Sequence, residues 1–231
     1  MKIYVFDLDD TLAQVGKQAE NATVEKLKQL NGKIAVCSGK PVYYLCGFMR
    51  QLGIYDAVLI GENGAVLQFG TDLPPVRIQQ PISKIAKSNL FKIKKLVSKL
   101  YPNMWFQPNE ICVTPFPTTA KQFENIDKEL KKNDNILDGI DEYVHCDSID
   151  FSPKGVSKAS GVKLLAGYCG ETLDSVFVIG DGNNDYPMFE LVKNSVGINL
   201  SDKSKAKYNF PDINTALDFL LETNCKQNRR R

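Results

Sequence analysis

Short apolar runs alternate with amphipathic stretches over the first 60 residues of the chain. Residues 3–6 and 57–60 are wholly apolar and residues 33–37 are nearly so, which is typical of strands buried on both faces. Between them, residues 22–30 and 41–52 have the apolar spacing of helices. This order of strand, helix, strand, helix and strand predicts a parallel sheet with helices on both faces.

The middle of the chain has a different pattern. Residues 71–81 contain three prolines and predict a linker. The elements predicted after it are a helix, a hairpin, a second helix and a second hairpin, at residues 83–100, 104–114, 118–132 and 143–151. This succession predicts a small α+β module of about 70 residues, near the low end of domain size.

The first pattern returns after Pro153. The predicted elements are two strands and three helices, at residues 156–168, 175–179, 186–191, 195–198 and 213–221. The fold class predicted from the whole chain is α/β, with a Rossmann-like parallel sheet as its core. We expect residues 1–78 and 152–231 to form that core, with residues 79–151 inserted as a small α+β domain.

The composition narrows the classes of function. An apolar content of 43% and a charged content of 24% are ordinary for a soluble globular protein. A net charge of +2 indicates neither a nucleic-acid partner nor a membrane partner, and no apolar run approaches the roughly 20 residues of a spanning helix. We therefore expect a cytoplasmic monomer or homodimer without a signal peptide. The basic segment Lys226–Arg231 is expected to be a frayed, solvated tail.

The cysteines and the single histidine argue against zinc sites, disulfide frameworks and most histidine-based mechanisms. The six cysteines include no CxxC pair, so neither a zinc site nor a disulfide framework is indicated, and we expect free thiols. The single histidine, His145, removes most mechanisms based on histidine, and a strand residue with a local hydrogen bond is expected there.

Acidic and small polar residues follow three of the predicted core strands, and a lysine opens the helix before the third. These residues are Asp7, Asp9, Thr11, Ser38, Gly39, Lys158, Asp181, Asn184 and Asp185. In an open α/β sheet, ligands bind beyond the carboxyl ends of the strands. Carboxylate oxygens suit Mg²⁺, and a hydroxyl with backbone amides beside a lysine suits a phosphate. Asp7 could attack phosphorus, and Asp9 could act as acid and then as base.

Four short motifs carry a resemblance to a known family. The stretch FDLDDTL at residues 6–12 resembles the DxDxT signature of the haloacid dehalogenase superfamily of phosphohydrolases. Ser38 in CSGK, Lys158 in PKGVSKAS, and GDGNND at residues 180–185 resemble its second, third and fourth motifs in the family's order. By contrast, DxDxT alone could be only an Asx turn with a helix cap.

The stretch GENGA at residues 61–65 and the position of the insert narrow the resemblance. They are similar to the subgroup with a large C2-type cap, here near its minimal C2B form. That subgroup includes Cof-like sugar phosphatases, sucrose-phosphate phosphatase and an archaeal type of phosphoglycolate phosphatase.

The resemblance implies Mg²⁺ as cofactor and assigns catalytic roles at matching positions. Asp7 would be the nucleophile and a metal ligand. Asp9 would be the general acid and base, and a ligand through its backbone carbonyl. Asp181 would complete the protein ligands, and Asp185 would support the metal shell.

The resemblance also assigns a phosphate site. The residues it implies are Thr11, Ser38, Gly39, Lys158 and Asn184. Lys158, which would also offset the charge on Asp7, is preferred to Lys154 because the family pattern places the motif lysine before a helix. At the first predicted hairpin, Gln107, Asn109 and Glu110 are candidates for reading the leaving group.

The function expected from these residues is Mg²⁺-dependent hydrolysis of a small phosphorylated metabolite through an aspartyl phosphate. Sugar phosphates are the first substrates considered, and phosphoglycolate is the second. Two alternatives stay open: a phosphotransferase or phosphomutase of the same superfamily, and a non-catalytic protein that binds a phosphorylated metabolite.

Overall fold

The computed structural model describes residues 1–228, with side chains to residue 223, so the predicted tail at residues 226–231 lies outside the described side chains. The strands in this range are β1 (Ile3–Phe6), β2 (Lys33–Cys37), β3 (Val58–Gly61), β4 (Val66–Phe69), β5 (Val76–Gln79), β6 (Ile140–Val144), β7 (Ile149–Pro153), β8 (Val176–Gly180), β9 (Asn194–Ile198) and β10 (Tyr208–Phe210). The helices are α1 (Asn21–Gln29), α2 (Val42–Gln51), α3 (Lys84–Leu100), α4 (Ala120–Lys131), α5 (Lys158–Tyr168), α6 (Tyr186–Leu191) and α7 (Ile213–Asn228). None of these helices combines the length and the apolar character that a membrane span needs.

Eight strands form one sheet, in the order β10-β9-β8-β1-β2-β3-β4-β5. The pairings from β10 to β3 are all parallel, and β4 returns antiparallel to β3. At the centre, Ile3 of β1 pairs with Lys33 on one side and with Val176 on the other. The α/β fold class predicted from the sequence, with its mostly parallel sheet, is therefore confirmed.

The central strand β1 is buried on both faces. Ile3 and Val5 join the apolar cluster that contains Val162 and Leu165 of α5. Tyr4 and Phe6 point to the opposite face, because side chains alternate along a strand, and all four side chains are 0% exposed. Burying each large apolar side chain contributes about 1.5–3 kcal/mol, which holds the strand, and hence its carboxyl end, in place.

Contacts along the chain divide it into two compact units, residues 1–78 with 157–231 and residues 79–156. In the second unit, β6 and β7 form an antiparallel pair with Ile140 opposite Pro153. Helices α3 and α4 pack in the same unit and bury Ile93 and Ile126 against Phe151. This unit therefore has an apolar core of its own.

Two local predictions in and beside this unit are wrong. The hairpin predicted at residues 104–114 is reduced to one antiparallel bridge with a shifted register, between Phe106 and Pro115, while Val113 bridges to Phe151 of β7. The backbone N–H and carbonyl oxygen of Val113 both pair with Phe151, so they are not available to the first segment of the predicted hairpin. The predicted linker at residues 71–81 contains β5, whose mostly exposed side chains leave no apolar pattern to detect.

Candidate active site

Asp7 stands at the carboxyl end of β1, in the middle of the sheet. Its backbone N–H donates to the Ile179 carbonyl oxygen at 2.8 Å, which extends the pairing with β8 by one residue. Its side chain is almost fully buried. The strand therefore fixes both the position and the burial of this carboxylate.

Three aspartates converge at this point. Carboxylate oxygens of Asp7, Asp181 and Asp185 lie within 4.8 Å of one another. The Thr11 hydroxyl donates to Asp181 Oδ1 at 2.8 Å, and Asp185 Oδ2 accepts from the backbone N–H groups of Asp181 and Gly182 at 3.0 and 3.1 Å. The turn after β8 therefore folds around the Asp185 carboxylate.

Gly180, the last residue of β8, makes this turn possible. A Cβ atom at this position would lie 2.3 Å from Asp185 Oδ2. Only a residue without a side chain leaves room for the carboxylate against the backbone here.

Lys158 joins the cluster from α5. Its Nζ lies 2.5 Å from Asp7 Oδ1 and 2.6 Å from Asp185 Oδ1, and the side chain is buried. Lys158 is the first residue of α5, and Ser157 caps that helix by accepting from the Ser160 N–H. Lys154, the rival lysine, is exposed and belongs to the other compact unit.

Burial and charge act in opposite directions on these groups. Burial raises the pKa of Asp7 to about 7, against the lowering effect of Lys158, and burial also raises the pKa of Asp181. Burial alone would lower the pKa of Lys158, but the carboxylates of Asp7 and Asp185 outweigh it and move that pKa upward. Lys158 is therefore a permanent cation between two carboxylates.

The cluster can hold a metal ion. Three carboxylates face a single ammonium, so an excess of negative charge stays buried, which is costly without a further cation. The atoms available to bind a metal are all carboxylate oxygens, which suit a hard divalent cation. The residues present therefore fit such an ion.

Asp9 lies outside this cluster of three carboxylates. Its Oδ2 is 3.1 Å from Lys40 Nζ, and both side chains are partly exposed. Asp10 is exposed and left-handed, with φ 58°, and its N–H donates to the Ala13 carbonyl oxygen at 2.7 Å. Asp10 thus closes a turn, while the Asp9 carboxylate is partly open to solvent.

Ser38 follows β2, and its hydroxyl accepts from the Lys40 N–H at 3.2 Å. A second loop holds the turn at residues 38–40 in place. We call it the bridging loop, Glu62–Gly64, whose three residues all have positive φ angles of 54°, 53° and 103°. The N–H of Glu62 donates to the Lys40 carbonyl oxygen, and that of Asn63 to the Ser38 carbonyl oxygen, both at 3.0 Å.

The bridging loop also contacts the start of α5. A Cβ atom on Gly64 would lie 2.3 Å from the Ser157 carbonyl oxygen, one residue before Lys158. Glycine is required here both by this close approach and by its φ of 103°. The loop therefore spans the distance between the Ser38 turn and the helix that carries Lys158.

The remaining predicted site residues lie at the edges of the site. Gly39 lies beside the Asn63 side-chain amide, which would be 3.4 Å from a Cβ atom on Gly39. Asn184 is exposed in the turn before Asp185. The structure thus brings together Asp7, Thr11, Lys158, Asp181 and Asp185, and it places Asp9, Ser38, Gly39 and Asn184 around them.

Sequence reasoning gave no role to Lys40 or to the bridging loop. Lys40 directly follows Ser38-Gly39, so its position at a strand end was visible. The Asn63-Gly64 pair is a signal for left-handed backbone, but the stretch GENGA was used only to narrow the family resemblance. The loop contacts backbone carbonyl oxygens, and such contacts cannot be recognised from residue types in the sequence.

Comparisons with known proteins identify the family of this chain and several relatives. The sequence profile of a family described as haloacid dehalogenase-like hydrolase matches residues 4–114 and 79–210. A phosphoglycolate phosphatase of Thermoplasma volcanium is 26% identical over 216 residues, 91% of each chain. A phosphoglycolate phosphatase of Picrophilus torridus is 25% identical over 214 residues, 91% of this chain and 84% of the relative.

A solved structure shows the same fold. A haloacid dehalogenase-like hydrolase from Bacteroides thetaiotaomicron superimposes with a TM-score of 0.79 at 16% identity, covering 95% of this chain and 99% of the other. At this level of identity the similarity concerns the fold alone.

Proposed function

The chain belongs to the haloacid dehalogenase-like hydrolases, and we propose that it is a Mg²⁺-dependent phosphatase of a small phosphorylated metabolite. The observation that supports this most strongly is the Lys158 ammonium held between Asp7 and Asp185, with Asp181 beside them. A protein that only binds a ligand has no need to bury two carboxylates beside one lysine, with a third half-buried next to them, because the arrangement costs stability.

In the proposed reaction, Asp7 is the nucleophile. Its carboxylate oxygen forms a bond to phosphorus while the bond from phosphorus to the ester oxygen breaks, which gives an aspartyl phosphate and an alcohol. Asp9 gives its proton to the departing oxygen. Asp9 then takes a proton from a water molecule, which attacks phosphorus and releases inorganic phosphate and a free Asp7.

Lys158 prepares Asp7 for this attack. Its ammonium holds one carboxylate oxygen, Oδ1, at 2.5 Å, so the other oxygen is oriented for bond formation. The same positive charge opposes the repulsion between the Asp7 carboxylate and an incoming phosphate dianion.

Mg²⁺ would be held by the carboxylates of Asp7, Asp181 and Asp185, with the backbone carbonyl of Asp9 as a further proposed ligand. When bound, it supplies positive charge that lowers the cost of bringing the phosphoryl group to Asp7. The Thr11 hydroxyl, which donates to Asp181 Oδ1, keeps that ligand in place.

The phosphoryl oxygens would be bound at the ends of β1, β2 and β8. Ser38 offers its hydroxyl, Gly39 its backbone N–H and Asn184 its side-chain amide, while Thr11, whose hydroxyl donates to Asp181, would contribute its backbone N–H. We also propose that the second compact unit is the cap domain.

Phosphoglycolate is the first substrate to test. It is the substrate in the names of the relatives that match along most of the chain, and it therefore comes ahead of the sugar phosphates that the motif resemblance put first. We place the enzyme in the cytoplasm, which the absence of disulfides among the five described cysteines supports.

The test is phosphate release from a panel of phosphomonoesters, with Mg²⁺ and with EDTA, for the wild type and for Asp7→Asn. Release that requires Mg²⁺ and disappears in Asp7→Asn supports the proposal and ranks the substrates. Turnover that persists in Asp7→Asn, or in EDTA, contradicts the proposed mechanism.

A further inference from the structure

The backbone of Lys40 is held firmly at the end of β2. Its N–H donates to the Ser38 hydroxyl at 3.2 Å, and its carbonyl oxygen accepts from the Glu62 N–H at 3.0 Å. The next residue, Pro41, has a φ of −69° that its ring fixes. The Lys40 side chain therefore starts from a fixed point beside the proposed phosphate site.

The Lys40 ammonium differs from that of Lys158 in its surroundings. Lys158 contacts two buried carboxylates, and its side chain is 1% exposed. Lys40 contacts the Asp9 carboxylate at 3.1 Å, and its side chain is 33% exposed. An ammonium has three donors, so Lys40 can hold Asp9 and still receive a second anion from the open side.

Asp9 determines where such an anion would come from. In the proposed reaction Asp9 protonates the ester oxygen, so that oxygen must come within about 2.6–3.2 Å of its carboxylate. Lys40 is bound to the same carboxylate and therefore lies next to the first atoms of the leaving group.

The negative charge at the strand ends makes the position of the Lys40 ammonium important for an anionic leaving group. Asp7, Asp9, Asp181 and Asp185 all repel an anionic leaving group. Lys158 is already enclosed by Asp7 and Asp185. A leaving group with a carboxylate needs a cation facing it, and Lys40 supplies one beside the ester oxygen.

We propose that Lys40 binds a carboxylate attached directly to the ester carbon of the substrate, and so selects phosphate esters of small 2-hydroxy acids. This inference rests on the proposed function, because it uses Asp9 as the group that protonates the leaving oxygen. It makes Lys40 a residue that determines specificity, in addition to its contact with Asp9.

The experiment compares 2-phosphoglycolate with O-phosphoglycolamide, which has the same shape but a neutral amide in place of the carboxylate. The enzymes are the wild type, Lys40→Met, Lys40→Arg and the control Lys193→Met. Lys193 is a suitable control because it is 82% exposed and precedes β9, at the opposite edge of the parallel sheet from the strand ends.

We expect the wild type and Lys193→Met to prefer the acid over the amide by about 10- to 100-fold in kcat/KM, the size of one hydrogen bond between charged groups. In Lys40→Met both esters slow, because Asp9 loses its partner, but the preference falls below about threefold. Lys40→Arg keeps the charge and retains most of the preference.

Two results overturn the inference: a wild type without preference, or a Lys40→Met variant that slows both esters equally and keeps its preference. A wild type that hydrolyses other phosphomonoesters of the panel but neither of these two also overturns the inference. If it hydrolyses no phosphomonoester at all, the proposed function fails, and binding then decides the role of Lys40. Titration calorimetry in Mg²⁺ would still show tighter binding of the acid than of the amide, lost in Lys40→Met, if Lys40 binds the carboxylate. Equal affinities would overturn the inference.

Discussion

Lys158 Nζ lies 2.5 Å from Asp7 Oδ1, although 151 residues separate the two in the chain. The contact joins the first strand of the sheet to the helix that re-enters the core after the second compact unit. Both side chains are buried, so neither charge can be satisfied by water. This pair therefore ties the stability of the core to the chemistry proposed for its strand ends.

Removal of the Lys158 charge should affect stability and activity together. Lys158→Met leaves two buried carboxylates without their cation, and we expect a loss of about 3–5 kcal/mol in the free energy of unfolding. Phosphate release should fall at least about 100-fold, because the Asp7 carboxylate then has no ammonium to orient it or to offset its negative charge. Urea unfolding and initial rates measure both quantities.

Lys154→Met is the matched control, because Lys154 is exposed and lies only four residues earlier. It should change the free energy of unfolding by less than about 0.5 kcal/mol. Equal effects of the two substitutions would contradict the assignment of Lys158 to the site.

The bridging loop can be tested with one added methyl group. Gly64→Ala places a Cβ atom 2.3 Å from the Ser157 carbonyl oxygen, so the start of α5 must shift and take Lys158 with it. We expect kcat to fall about 10- to 100-fold, since a displacement of about 1 Å is enough for such a loss. Steady-state kinetics measures the fall in kcat, and thermal unfolding measures the loss of stability.

Gly170→Ala separates displacement from backbone strain. Gly170 follows the other end of α5 with a φ of +66°, and no atom lies within 4 Å of a Cβ built there. Both variants lose about 1–3 kcal/mol to left-handed strain, but only Gly64→Ala should lose activity. A Gly170→Ala enzyme as slow as Gly64→Ala would show that strain alone is responsible.

Mg²⁺ should stabilise the folded protein even without substrate. The ion relieves the repulsion among Asp7, Asp181 and Asp185, and at a hundredfold excess over its Kd it adds about 2.7 kcal/mol. For a chain of this size we expect Tm to rise by about 5–10 °C, as calorimetry with Mg²⁺ and with EDTA would show.

The aspartate cluster should be responsible for that shift. Asp181→Asn removes one of the three charges and should abolish most of the rise in Tm. Asp174→Asn should leave it intact, because Asp174 is 72% exposed and lies before β8, at the other edge of the sheet. A rise that survives in Asp181→Asn would place the ion elsewhere.

The only histidine offers a test within the second compact unit. His145 Nε2 lies 3.3 Å from Asp150 Oδ2, and this hydrogen bond raises the pKa of His145 despite partial burial. The shift stabilises the fold fully below the unfolded pKa of about 6.5, and the contribution is lost as the pH rises through the folded pKa. Proton NMR follows this one imidazole without ambiguity.

Asp150→Asn should lower the midpoint of that titration. Asp147→Asn should lower it less, because Asp147 acts only through its charge and is the smallest of the influences on His145. A midpoint that does not move in Asp150→Asn would contradict the hydrogen bond.

Buried elements of this fold could be predicted from the sequence, and exposed ones could not. Continuous apolar runs located β1, β2, β3 and β8, because strands covered on both faces need apolar residues at every position. The edge strand β5 was missed because its side chains are mostly exposed. The hairpin predicted at residues 104–114 was wrong in its register because Val113 pairs with Phe151 of β7, a contact distant in sequence that the local pattern does not reveal.

The site divides in a similar way. Asp7, Asp181 and Asp185 were placed at strand ends and Lys158 near the start of a helix, because their side chains carry the chemistry. The partnership of Asp9 with Lys40 was not foreseen, since the geometry of a loop decides which cation an exposed carboxylate meets. The bridging loop was missed because its contacts run through backbone atoms.

The most direct test of the central claim is a search for the aspartyl phosphate on Asp7. Asp9→Asn cannot activate water, but p-nitrophenyl phosphate needs no acid to release its leaving group, so the intermediate should accumulate. We predict a burst of about one p-nitrophenolate per chain in Mg²⁺, with phosphate recovered on the peptide that contains Asp7. The absence of both a burst and a phosphorylated peptide, in an Asp9→Asn enzyme that still turns over, would contradict the account.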